Sequence, residues 1–225
     1  DFGESTAQLT DGYIDIHYWP EFRLRAGQFK VPFSFEQLSS SRFIDFVELS
    51  IVDNLVPAFD VGFQLHGSLA GGLVEYAGGL FNGKALNTKE SNDSKDFAGR
   101  ILVRPFKNSK GSPLEKLHVA GHFTYGDQDS ATSLRGRTDG KFVFFSPVPT
   151  RGDRLRYGVE TVYAYGPFGL YGEYVQSEEE RKGLGAGGTN LADLTGQGWY
   201  VAGTVFVTGE EKVHGKPPKV KPANP

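Results

Sequence analysis

The sequence has no cysteine and no methionine among its 225 residues. Without cysteine there is no disulfide framework, no cysteine zinc site and no thiol nucleophile. The absence fits a chain that crosses an oxidising compartment. Long apolar runs are also missing. None approaches the roughly 20 residues that a membrane helix needs, so a helical membrane protein is excluded. A membrane barrel is not, because barrel strands alternate and keep the average hydropathy polar. The net charge of -3 argues against a general nucleic-acid binder. The chain begins DFGEST, without a basic or an apolar leader. The expectation is a leader removed in processing or a start further upstream.

Enzyme signatures are equally scarce. GLGAGG at 183–188 follows a charged run and lacks the Lys-Ser/Thr of a phosphate loop. Asp127 and Asp129 form an acidic pair with no partner that can be argued from sequence. His17, His66, His118 and His122 fall on separate strands or, for the last two, ~13 Å apart at ~3.3 Å per residue. Histidines satisfied locally or facing water are the expectation, with no metal site, no cofactor and no enzymatic activity.

What is present is β structure. Aromatics make up 13% of the chain and there are 30 glycines. Segment 11–19 alternates Ile14, Ile16 and Tyr18 against Asp15 and His17. Segment 22–30 sets Phe22, Leu24 and Ala26 against Arg23 and Arg25, and Pro32 ends its ladder. Val61, Phe63 and Leu65 oppose Gln64 and His66; Val74, Tyr76 and Leu80 oppose Glu75. Phe97, Ile101 and Val103 oppose Arg100 and Arg104; Val119, Phe123 and Tyr125 oppose His118, His122 and Thr124. A hairpin through Gly166-Pro167 carries Arg154, Arg156 and Glu160, then Tyr171 and Glu173, on its polar phase. Trp199, Val201 and Val205 mark the last strand. Segments 43–57, 84–95, 126–141 and 178–188 read as loops, with a helical turn in the first. Segment 142–146, apolar on both phases, reads as a rim cover or an inward fold. Segment 209–225 reads as a tail.

Nine or ten strands of ~10 residues, with short turns opposite long loops, match an antiparallel transmembrane β-barrel of the outer-membrane kind. Arg23, Arg25, Arg100, Arg104, Arg154 and Arg156 all fall on the inward phase. Arginine suits an anion path because its fork gives bidentate hydrogen bonds to phosphate. The bland reading is that these arginines pair with Glu75, Glu160 or Glu173 in a polar lumen; for any single arginine the two readings weigh about equally.

The run RAGQFKVPFSFEQLSSSRFIDFVE, the DVGFQLHG strand after it and GWYVAGTVFVTGE near the end resemble the phosphate-selective porin family, the O and P porins. The resemblance covers most of the chain in order. It implies an all-β fold, a portion of a sixteen-stranded barrel that is usually a homotrimer. It implies a Gram-negative outer membrane, with lipid and lipopolysaccharide around the barrel and small anions such as phosphate inside. The chain is too short for sixteen strands, so residues 1–225 are expected to be a single barrel segment lacking early and late strands. The family places its constriction loop at Gln37, Ser39, Ser40, Ser41 and Arg42, with an acidic residue facing it at Asp15. Gln37 and Leu49 stand where the pattern has positive residues, which weakens phosphate specificity. Serine runs of this kind are also ordinary loop and helix-cap segments. The expected function is passive diffusion of small solutes, anions foremost. The alternative is a barrel that serves as a scaffold in an envelope assembly without selective transport. A soluble ligand-binding β-sandwich is disfavoured because no second sheet is needed to bury the greasy faces.

Overall fold

The structure, a computed structural model, describes residues 9–83, 94–138 and 140–214, with the backbone alone at 129–131. Nine strands form one antiparallel sheet in simple sequence order. They are β1 (Gly12–Trp19), β2 (Phe22–Lys30), β3 (Phe59–Leu69), β4 (Val74–Phe81) and β5 (Asp96–Val103), followed by β6 (His118–Arg137), β7 (Val143–Tyr165), β8 (Phe168–Arg181) and β9 (Leu191–Val205). Each strand pairs with its neighbour in the chain, the meander of an up-and-down barrel wall. Among the described residues β1 and β9 each have one neighbour, and the sheet does not close on itself.

The period-2 pattern decides which face is which, and the ladder keeps one phase across the sheet. Arg25 pairs with Gln64, Ser68 with Glu75, Arg100 with His122, Glu160 with both Ala120 and Glu173, and Glu173 with Tyr200. All of these lie on one face. Ile14, Phe63, Ile101, Val159, Leu170, Trp199 and Val201 lie on the other and are exposed. A continuous apolar band of this size has no place in water and matches the lipid face of a membrane barrel. At the short-turn end, Tyr18, Trp19, Phe22, Tyr165 and Phe168 stand exposed, as an interfacial aromatic girdle does.

Residues 31–58, between β2 and β3, turn inward across the polar face. Within β2, Gly27, at φ 133°, lets β1 lie close: a Cβ there would come within 2.3 Å of the Gly12 carbonyl oxygen. The segment carries a single helical turn, α1 (Phe35–Leu38), and a 3-10 turn at Ile51–Leu55. It is pinned by a small apolar cluster of Phe29, Val31, Phe33, Val52, Phe81, Ala98 and Val175, against which Leu55 and Tyr200 pack. The core of this molecule therefore lies between loop and wall, inside the curve of the sheet.

Three loop expectations are corrected. Segment 126–141 is mostly strand, because β6 runs on to Arg137 and ladders with β7. Segment 142–146 neither folds inward nor covers a rim; it opens β7, and Phe142, Phe144 and Phe145 are exposed. Residues 178–181 complete β8, paired with β7 and β9. The polar loop expected at 84–95 and the tail beyond 214 lie largely outside the described residues.

Candidate functional site

The inward loop meets the wall through specific contacts. Ser34 sits at φ 61°, an uncommon value for a residue with a side chain. Its hydroxyl accepts the Gln37 N–H at 3.4 Å and donates to Glu173 Oε2 at 2.9 Å. Glu36 is buried and accepts the Ser50 N–H at 2.9 Å. Burial pushes its carboxyl up from the ordinary value, against that hydrogen bond. Further on, Asn54 exchanges hydrogen bonds with the backbone of Arg137. Lys212, in the segment after β9, is buried and ion-paired to Asp45 of the loop.

The loop separates two basic cavities. One, of about 490 Å³, is lined by Arg23, Arg25, Lys30, His66, Glu75 and Arg100 among others. The second, of about 530 Å³, is lined by Leu49, Ser50, Arg135, Arg137, Arg154 and Arg156 together with Glu48 and Glu179.

The six strand arginines divide by partner. Arg25 Nη2 lies 2.6 Å from Asp15 Oδ2, and its guanidinium stacks over the Tyr13 ring at 4.5 Å. Arg104 pairs with Glu75 at 2.7 Å and Arg154 with Asp96 at 3.0 Å, while Arg100 pairs with Glu160. Arg23 and Arg156 have no ion pair among the described residues. Glu173 does not pair with an arginine; it takes the Ser34 hydroxyl and, at 3.3 Å, that of Tyr200.

The constriction candidates are less uniform. Gln37 is buried, and its backbone carbonyl accepts the Lys30 ammonium, which also donates to the Ser39 carbonyl at 2.9 Å. Lys30 thus puts a cation beside Gln37. The Ser39 hydroxyl donates to the Phe35 carbonyl at 2.8 Å, and Ser40 Oγ accepts the Arg42 N–H at 3.4 Å. Ser41 and Arg42 are exposed. Lys30, Arg135 and Arg137 escaped the sequence reading. Lys30 closes its strand off the arginine phase, and the other two sit in a segment read as loop.

A wall greasy outside, charged inside and narrowed by an inward loop is the geometry of a porin. The family model for phosphate-selective porin O and P matches residues 1–225. The chain belongs to that family. A search of curated proteins returned no match. This porin is therefore an outer-membrane channel protein of a phosphate-selective family, built for passage of small solutes through a water-filled barrel.

Proposed function

We propose that this porin conducts small anions by diffusion, without catalysis, along the two basic cavities flanking the inward loop. Arg23 and Arg156, without an ion pair among the described residues, act as the phosphate-seeking forks, and the Asp15, Glu75 and Asp96 pairs hold Arg25, Arg104 and Arg154 in place. The carrying observation is the clustering of Arg135, Arg137, Arg154 and Arg156 around one cavity of about 530 Å³ beside the loop. Gln37, Ser39, Ser40, Ser41 and Arg42 form the narrowest bend, where Lys30 supplies a positive charge from beneath. With Leu49 apolar at the second cavity, phosphate preference is modest relative to the family pattern.

The open edges of β1 and β9 support a larger barrel. Unpaired backbone in lipid costs several kcal/mol per group, so further strands or neighbouring copies complete the wall. A single barrel domain, assembled as a trimer in an outer membrane with lipopolysaccharide around it, is the assembly proposed. The test is conductance of the full-length protein in a planar bilayer under a KCl gradient. Anion-selective current reduced by added phosphate supports the reading. Cation preference overturns the anion path, and no current at all points to a scaffold.

A further inference from the structure

His122, Glu160 and Glu173 converge under the inward loop, on three adjacent strands, β6, β7 and β8. All three are almost fully buried, at 4%, 1% and 4% exposure. His122 Nε2 lies 3.6 Å from Glu160 Oε2 and 3.2 Å from Glu173 Oε1. Among the described residues, none of these three atoms, nor His122 Nδ1, has a hydrogen-bond partner. Buried polar atoms are nearly always satisfied, and buried carboxylates without partners are costly. Four such atoms together, three of them facing one another, describe a hole in the hydrogen-bond network that a cation fits.

The surroundings point the same way. Each carboxylate has its other oxygen held. Arg100 donates to Glu160 Oε1, and Ser34 and Tyr200 donate to Glu173 Oε2. The free oxygens are thereby aimed at the imidazole, as outer hydrogen bonds aim metal ligands. Gly158, directly opposite His122 in the ladder, makes room for the ring: a Cβ there would lie 2.5 Å from His122 Cε1. Phe33 lies edge-on at 4.0 Å between ring centroids and closes the site from the loop side. The spacing is right for a metal. Ligands at ~2.1 Å from a tetrahedral ion stand about 3.4 Å apart, and the ligand atoms all lie within 4.8 Å of one another.

We propose that His122, Glu160 and Glu173 bind one divalent transition-metal ion with a nitrogen-oxygen preference, Zn²⁺ being the type. Three protein ligands leave a fourth position open. The mixed donor set disfavours Mg²⁺ and Ca²⁺, which take oxygen-rich shells of six or more. The ion ties the inward loop, through Ser34 and Phe33, to the β6–β8 wall. The site adjoins the first basic cavity through Arg100, which lines that cavity and donates to Glu160.

The experiment uses the folded full-length protein in detergent micelles, stripped with chelator and titrated with Zn²⁺ by calorimetry and with Co²⁺ by visible absorption. The expected result is one saturable ion per chain, with an intense tetrahedral Co²⁺ spectrum. E173Q and E160Q should each weaken binding at least tenfold, and S34A, which keeps all three ligands, about tenfold. E115Q, in the exposed β5–β6 connection, should leave Zn²⁺ affinity unchanged. Heat-modifiable mobility on gels reports whether each variant is folded, and S34A serves if the ligand variants are not. Absence of saturable binding by the unsubstituted protein overturns the proposal, because protons alone then fill the network. Affinity in E173Q and E160Q equal to that of the unsubstituted protein also overturns it.

Discussion

Asp15 and Arg25 are cross-strand partners in the β1–β2 ladder, and their side chains close on each other at 2.6 Å. Asp15 therefore screens the arginine that stacks on Tyr13. His66 sits 3.3 Å from the same carboxylate. The charge available to a passing anion at this level is less than the arginine count suggests.

Replacing Asp15 by asparagine should release Arg25 to the lumen. One charge at ~4 Å in water is worth about 1 kcal/mol. The anion-to-cation permeability ratio should rise about fivefold, read as a shift of reversal potential in a KCl gradient. An unchanged ratio would show that Arg25 does not face the conducting path.

Arg23 and Arg156 should matter more for conduction than their paired neighbours. R23Q and R156Q are expected to lower chloride conductance severalfold with little loss of stability. The double variant R104Q/E75Q should conduct nearly as before, because it removes a pair with no net charge. Single-channel recordings of the three variants, with urea unfolding alongside, separate the two effects.

Leu49 lines the cavity that holds Arg154 and Arg156. A lysine there restores the positive residue of the family pattern. L49K should strengthen phosphate block of chloride current by about fivefold, the equivalent of ~1 kcal/mol. Loss of block would mean that the added charge repels more than it recruits.

The segment after β9 should loosen in acid. His214 Nε2 lies 2.9 Å from the Tyr163 carbonyl oxygen, with Lys212 and Asp45 nearby, and burial holds its imidazole below the ordinary value. The unfolded chain binds the proton more readily, so stability rises with pH through this range. The contribution is fully present above the unfolded value of ~6.5 and is lost as pH falls through and below it. Protection of the Lys212 amide against hydrogen exchange, taken relative to the intrinsic rate at each pH, should fall between pH 7.5 and pH 5, the amide being bonded to the Gly166 carbonyl at 2.7 Å. H214Q should flatten that dependence.

A methyl group at residue 158 should be poorly tolerated. G158A would press on the Tyr174 carbonyl oxygen at 2.4 Å and on the His122 ring. Overpacking of this kind costs about 1–3 kcal/mol, visible as a lower unfolding midpoint by heat-modifiable gel mobility.

The phase of every strand was legible in the sequence, because lipid on one side and water on the other demand strict alternation. Val61 against Gln64 and Ile101 against Arg100 already assign both faces. The height of β6 and β7 was not legible. Beyond the lipid band no greasy face is required, and a polar strand such as 132–137 has the composition of a loop until its partner is known. The lumen phase of the arginines could be read, and Glu75 and Glu160 could be named among their partners, but which arginine each acid takes, and the pairing of Arg154 with Asp96, could not. Arg100 reaches Glu160 across 60 positions and Arg154 reaches Asp96 across 58. The meeting of His122 with Glu160 and Glu173 was hidden for the same reason: each strand contributes one ligand, and only the register aligns them.

The strands are unequal in height. β4 and β5 have 8 residues each, whereas β6 and β7 have 20 and 23. Some twelve extra residues at ~3.3 Å extend that side by about 40 Å along the strand. Among the described residues the wall is thus lopsided, tall at β6 and β7 and low at β4 and β5. Arg135 and Arg137 stand on the tall flank, where their field gathers a dilute anion toward the cavity they line.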